Sequence, residues 1–200
     1  MRRNESLIAL LKPGPKKMNY TAIDKSWTLF LDRDGVINGE RKDEYVLRLD
    51  EFIFFDGVLQ ALKILNDVFS LIIIITNQKG VGKGLMTLDD LHSIHEHMLQ
   101  QIKTNGGRID NIYYCTDIDN DSSNRKPQPG MGLQARKDFP QIDFRKSIMI
   151  GNKLTDMQFG RTLGSKTVFI ATSDPETPFP HPLIDARFNN LLEFAMKFVH

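Results

Sequence analysis

Five short apolar runs recur along this chain, and the polar residues that follow three of them restrict both its fold and the place of its chemistry. The runs are Trp27–Leu31, Leu71–Ile75, Ile112–Cys115, Ser147–Ile150 and Lys166–Ile170; Asp32, Thr76 and Gly151-Asn152 close the first, second and fourth. Leu71–Ile75 is wholly apolar and mostly β-branched, as in a strand covered on both faces. Between the runs the periodicity becomes helical. Val58, Leu59, Leu62 and Leu65 share one face within 57–66. Leu88, Leu91, Ile94, Met98 and Ile102 share another, behind a capping box of Thr87 and Asp90. Met131–Lys137, Asp156–Leu163 and Asn189–Phe198 read as further helices. Strand alternating with helix implies right-handed crossovers and a parallel sheet, an α/β fold with helices on both faces. Ligands of such open sheets bind outside the carboxyl ends of the strands, where these polar closures gather.

The chain is long enough, at 200 residues, for about one domain. Its Lys and Arg number 26 against 25 Asp and Glu, a net charge of +1, so no basic excess draws it to nucleic acid. A single cysteine, Cys115, excludes an internal disulfide framework and a cysteine-rich zinc site. No apolar run reaches the length of a membrane span or of a signal-peptide core, which predicts a cytoplasmic protein without a membrane partner. Residues 1–25 differ from the rest. Pro13-Gly14-Pro15 stops any helix begun at Ser6, and Lys16-Lys17 follow, so 1–25 is expected to be an N-terminal extension. It is either a mobile segment or a docking arm, and residues 26–200 form the domain.

Asp32 and Asp34 stand two apart just past a strand, and Gly35 permits the sharp turn that brings both carboxylates to one point. Such a pair performs nucleophilic and acid–base work together when a cation reduces their repulsion. The segment Asp32-Arg33-Asp34-Gly35-Val36-Ile37-Asn38 resembles the first motif of the haloacid dehalogenase (HAD) superfamily of phosphatases. Thr76-Asn77-Gln78 resembles the second motif, Arg125-Lys126-Pro127-Gln128-Pro129-Gly130-Met131 the third, and Gly151-Asn152-Lys153-Leu154-Thr155-Asp156-Met157 the fourth. Within that superfamily the chain is similar to the heptose-bisphosphate phosphatases and the histidinol-phosphatases. Tyr45-Val46, Phe52–Val58, Gly80–Gly84, Tyr113-Tyr114-Cys115 and Pro129-Gly130-Met131 favour the heptose group. Polynucleotide 3′-phosphatases use related motifs, but the near-zero net charge disfavours that substrate.

The resemblance implies a HAD-like (Rossmann-type) sheet with the first-motif strand central and a minimal cap. The stretches between Asp34 and Leu71, and between Gln78 and Tyr113, are too short for a cap domain beside their helices. It implies an Mg²⁺-dependent phosphomonoester hydrolase in which Asp32 is the nucleophile, Asp34 the acid–base, and Thr76 and Lys126 complete the catalytic group. Asn77, Gln78, Lys83, Arg125 and Lys153 are the implied substrate-binding residues. Asp32, Asp34, Asn152 and Asp156 are the implied metal ligands, oxygen donors suited to a hard cation. The partner is a small phosphorylated metabolite, a heptose bisphosphate before histidinol phosphate.

Two departures from the family pattern stand out. The heptose and histidinol enzymes usually carry a Cys/His zinc loop before Arg-Lys-Pro, whereas residues 116–124 hold neither residue type, so no zinc is expected. The fourth motif usually begins Gly-Asp, with the Asp on Mg²⁺, and here Asn152 removes one negative charge. Asp156 is the expected compensation, directly or through water. A catalytically weak phospho-ligand-binding module is the alternative that Asn152 raises. Other signals carry less: His92 and His95 read as a polar helix face, Gly80–Gly84 lacks the Lys-Ser/Thr of a phosphate loop, and Lys79 reads as solvated.

Overall fold

A computed structural model describes residues 18–40 and 45–199 of the chain. Six parallel strands form one sheet: β1 (Thr28–Leu31), β2 (Leu71–Asn77), β3 (Asn111–Cys115), β4 (Ser147–Gly151), β5 (Lys166–Ile170) and β6 (Ala186–Phe188), in the order β3-β2-β1-β4-β5-β6. The helices are α1 (Val58–Val68), α2 (Lys79–Gly82), α3 (Leu88–Thr104), α4 (Gly130–Asp138), α5 (Leu154–Leu163) and α6 (Leu191–Ala195). The first-motif strand β1 is therefore interior, flanked in register by β2 and β4, with Leu31 beside Ile74 and Ile150.

Alternate residues of the interior strands enter two separate cores, as expected for a sheet buried on both faces. Leu29, Leu31, Ile72, Ile74, Ile148 and Ile150 pack with α1, α3 and α6 residues such as Leu62, Ile94 and Phe194. Phe30, Ile73, Ile75 and Met149 pack on the opposite side with Met131 and Ala135 of α4 and Phe159 of α5. The described segments between the strands hold these helices and no inserted domain.

Four expectations change. Leu88 is 46% exposed, and His95 takes its place on the buried face of α3. β6 has no counterpart in the sequence reading: it is three residues long, contains Arg187 and follows a proline-rich stretch, so it lacks a strand's apolar signature. The last helix is also shorter, with α6 passing into a 3₁₀ turn at Met196–Phe198. The proposed break at Pro13-Gly14-Pro15 lies outside the described residues. From Met18 onward, however, the expected extension belongs to the core: Met18 and Ile23 are buried, and the Tyr20 ring meets Phe188, Phe194 and Phe198 edge-on at 6.0–6.4 Å. Among the described residues no helix is long and apolar enough to cross a membrane.

Candidate active site

The chain leaves β1 through a turn in which the Arg33 carbonyl accepts from the backbone of Val36, Ile37 and Asn38, and Gly35 N–H donates to the Asn38 carbonyl at 2.8 Å. Gly35 has φ +85°, and a Cβ there would lie 2.0 Å from Asn152 Nδ2. Glycine is thus required twice, for the left-handed backbone and for the approach of the fourth motif. The turn opens on a cavity of about 670 Å³ at the carboxyl ends of the strands. Asp32, Asp34, Asn77, Gln78, Arg125, Lys126, Lys153 and Asp156 all line it, drawn from four separate loops.

At the floor, Lys126 Nζ lies 2.8 Å from Asp32 Oδ1 and 2.7 Å from Asp156 Oδ1, with all three side chains nearly or fully buried. Burial, reinforced by the Asp156 charge, pushes the Asp32 carboxyl up to about 7 against the pull of Lys126. Lys126 is held above its ordinary value: burial opposes its charge, but the two carboxylates outweigh burial. Asn77 anchors the lysine from behind, its Nδ2 donating to the Lys126 carbonyl and its Oδ1 accepting the Lys126 N–H, both at 3.1 Å. Asp156 has its other oxygen occupied by the Lys153 N–H at 3.0 Å, capping α5. Its carboxylate is shared between Lys126 and the first turn of α5.

Asp34 is held differently. Its Oδ1 accepts from Arg33 Nη2 at 2.8 Å and Asn38 Nδ2 at 2.9 Å, and its Oδ2 from Gln78 Nε2 at 2.9 Å. Burial works to raise its pKa, but the Arg33 charge and these donors overcome it and hold the carboxyl below its usual range. Gln78 also donates to Thr76 Oγ1 at 2.9 Å, so Thr76 sits buried beneath the cavity and reaches Asp34 only through Gln78. Two other residues named from the sequence stand apart from the cavity lining. Lys83 is exposed, its Nζ 5.2 Å from the Tyr45 ring centre, and Asn152 is fully buried. Lys79, read as solvated, instead lines the cavity and donates to Asn120 Oδ1 at 2.8 Å.

The sequence reading missed His95 and Glu40. Arg33 is completely buried, and its Nη1 lies 3.2 Å from His95 Nε2. A guanidinium only donates, so this nitrogen accepts and the ring is neutral. Burial, then the Arg33 charge, lowers His95 to about 3. The folded state therefore refuses a proton that the unfolded chain takes up near pH 6.5, and stability falls as pH drops from there toward 3. We expect His95 to remove up to about 1.4 kcal/mol per pH unit below 6.5. The urea midpoint should fall further between pH 7 and pH 5 for the native chain than for His95→Gln, which keeps an acceptor for Arg33; equal falls would refute the assignment. Glu40 bonds Asn152, Lys153 and Ser173. Its signal lay only in the acid after Asn38-Gly39, with nothing local to mark it.

A divalent cation fits the residues at and behind this floor: Asp32 is a buried carboxylate beside another negative charge, and Asn152 Oδ1, packed behind Gly35, is buried with no partner. No cluster of three or more His, Cys, Asp or Glu is preformed for a metal among the described residues. The candidate donors remain the Asp32, Asp34 and Asp156 carboxylates and the Asn152 amide oxygen, with water or phosphate completing the shell.

The family model described as polynucleotide kinase 3 phosphatase matches residues 27–171. The D-glycero-alpha-D-manno-heptose-1,7-bisphosphate 7-phosphatase of Burkholderia mallei is 37% identical over 154 residues, covering 73% of this chain and 80% of the relative. The D-glycero-beta-D-manno-heptose-1,7-bisphosphate 7-phosphatase of Escherichia coli K12 is 35% identical over 175 residues, covering 82% and 90%. Among solved structures, the D,D-heptose 1,7-bisphosphate phosphatase from B. bronchiseptica, complexed with magnesium and phosphate, matches with a TM-score of 0.78 at 27% identity, over 86% of this chain and 98% of that one. The matched segment runs from the start of β1 to just past β5 and contains every strand end that contributes to the cavity. On that ground the chain belongs to the polynucleotide kinase 3 phosphatase family of the HAD superfamily and is a phosphatase.

Proposed function

We propose that the chain hydrolyses a heptose 1,7-bisphosphate at one phosphomonoester with Mg²⁺ bound, through an aspartyl-phosphate on Asp32. The observation that carries the reading is the buried Asp32–Lys126 pair at the cavity floor with the Asp34 carboxylate beside it. The names of the relatives supply the sugar.

Asp32 attacks phosphorus, an Asp32–phosphorus bond forms, and the bond to the sugar oxygen breaks; Asp34, whose carboxyl is held below its usual range in the free site, takes up the proton of the monoanionic phosphate ester and passes it to that oxygen. Water then attacks the aspartyl-phosphate, giving its proton to Asp34 and releasing phosphate and the Asp32 carboxylate. Lys126 stays fixed between Asp32 and Asp156, a preorganised positive charge where negative charge develops. Asp32, Asp34 and Asn152 would hold Mg²⁺, with Asp156 securing Lys126. Bound there, the cation supplies charge neutralisation at the phosphoryl oxygens. Arg125, Lys79 and Lys153 around the cavity suit a substrate with a second anionic group, and the planar Arg125 fork matches phosphate geometry.

Phosphate release with Mg²⁺ should be measured on the α and β anomers of heptose 1,7-bisphosphate, on histidinol phosphate and on an aryl phosphate. We expect a bisphosphate anomer to exceed both others in kcat/KM by about tenfold or more, the scale of one lost charge-assisted contact. A preference for histidinol phosphate would reassign the substrate and leave the phosphatase chemistry in place.

A further inference from the structure

We infer that Glu40 is a positioning residue that restores, from the first-motif loop, the charge and oxygen orientation that Asn152 removes from the fourth motif. The inference rests on the proposed cation site. Asn152 is fully buried, and its Nδ2 donates to Glu40 Oε2 at 2.9 Å and to Ser173 Oγ at 2.8 Å. Ser173 Oγ donates in turn to the same Glu40 oxygen at 2.7 Å. The other oxygen, Oε1, is paired with the Lys153 ammonium.

The Glu40 carboxylate receives donors from Asn152, Ser173 and Lys153, so the amide face toward it is the NH₂ group. That constraint determines the flip of Asn152 and leaves Oδ1 as its free atom, buried and without a partner. An unpartnered buried oxygen costs about 1–3 kcal/mol unless something donates to it or coordinates it. A cation answers that deficit, and Glu40, itself paired with Lys153, places a carboxylate one hydrogen bond behind the amide. A neutral glutamine at position 40 would both remove the charge and leave the flip undetermined, because its own amide can donate or accept.

The pair also predicts that position 152 cannot simply revert. A carboxylate introduced by Asn152→Asp would lie against Glu40 where the amide now donates, two like charges in contact at a half-buried position. Asn152→Asp by itself should therefore fail to tighten cation binding, whereas Asn152→Asp with Glu40→Gln should recover it. The same lesion would thus be harmful in one background and curative in the other, a coupling that loss of packing does not produce.

The test is direct Mn²⁺ binding to the full chain, by calorimetry or by the spin-resonance signal of free Mn²⁺, without substrate. Glu40→Gln is expected to weaken binding by about 10–100-fold, the usual effect of removing a partner behind a metal ligand. Its lost activity should return at high Mg²⁺, and the double variant should regain at least about tenfold in affinity over Glu40→Gln. Thermal melts of all three variants establish folding, and the double variant keeps the question open to refutation should Glu40→Gln be unstable. Native-like Mn²⁺ binding by Glu40→Gln, or a double variant that binds no better than it, would sink the assignment alone. A native chain that binds no Mn²⁺ would overturn the cation site together with it. Activity on a different sugar, with this binding pattern intact, would overturn only the proposed substrate.

Discussion

Asp32→Asn is expected to lose turnover by about 10⁴–10⁶-fold, the range seen when a nucleophile is removed from an otherwise intact site. In the metal-free protein it should also melt higher than the native chain. The reason lies in the three-charge cluster at the floor, where Lys126 serves Asp32 and Asp156 together and the sum is one uncompensated negative charge. Because burial and Asp156 push Asp32 up to about 7, the folded state binds its proton more tightly than the unfolded chain does. Stability contributed by that proton is present at low pH and is lost as pH rises through about 7. The amide has no such loss and leaves Lys126 paired one-to-one with Asp156. In chelator, the melting temperatures of the two proteins should be close near pH 4, then separate by about 3–10 °C above pH 7. Added Mg²⁺ should narrow the gap by relieving the same repulsion. A variant that melts lower than the native chain at pH 7.5 in chelator would show that the Asp32–Lys126 bond outweighs the repulsion.

Lys126→Met should fail on both counts. Methionine preserves much of the aliphatic stem but strands Asp32 and Asp156 as adjacent buried carboxylates with no cation between them. Removing one partner of a buried pair typically costs about 3–5 kcal/mol, which for a chain of this size means about 6–20 °C in melting temperature. The deficit should shrink as pH falls below about 7, where Asp32 takes up its proton. Turnover should fall by at least about 10²–10³-fold with the loss of a fixed donor at the developing charge. Adding Asp156→Asn to Lys126→Met should recover much of the stability and none of the activity. Activity regained with stability would mean that Lys126 acts by holding the fold together, not at the reacting group.

Both variants fall on residues that local sequence marks plainly. Asp32 is legible because it sits where an apolar strand stops, whereas Lys126 and Asp156 are legible through the resemblance of their segments to the third and fourth motifs. The same local logic locates β1 to β5, since burial on both faces forces apolar residues to occur consecutively. β6 and the seating of Met18, Tyr20 and Ile23 leave no such trace; their burial depends on where distant Phe188 and Phe194 come to rest. His95 reads as part of a polar face because periodicity reports which side of α3 turns inward, not what waits there. Buried Arg33 waits there, and it turns a histidine into an acceptor.

Chain order and hydrophobic pattern alone determined the parallel α/β sheet and the strand ends that form the cavity, and the four motif resemblances named the other residues brought to it. Tertiary structure alone decided how those residues are placed: Thr76 held by Gln78, Lys83 exposed over the Tyr45 ring at the edge of the cavity, Asp156 paired with Lys126, and Glu40 set against Asn152 across 112 residues of chain. The physical reason is range. Burial imposes a period on neighbouring residues and is written locally, whereas a hydrogen bond between loops depends on a few ångströms of separation that only the closed fold establishes.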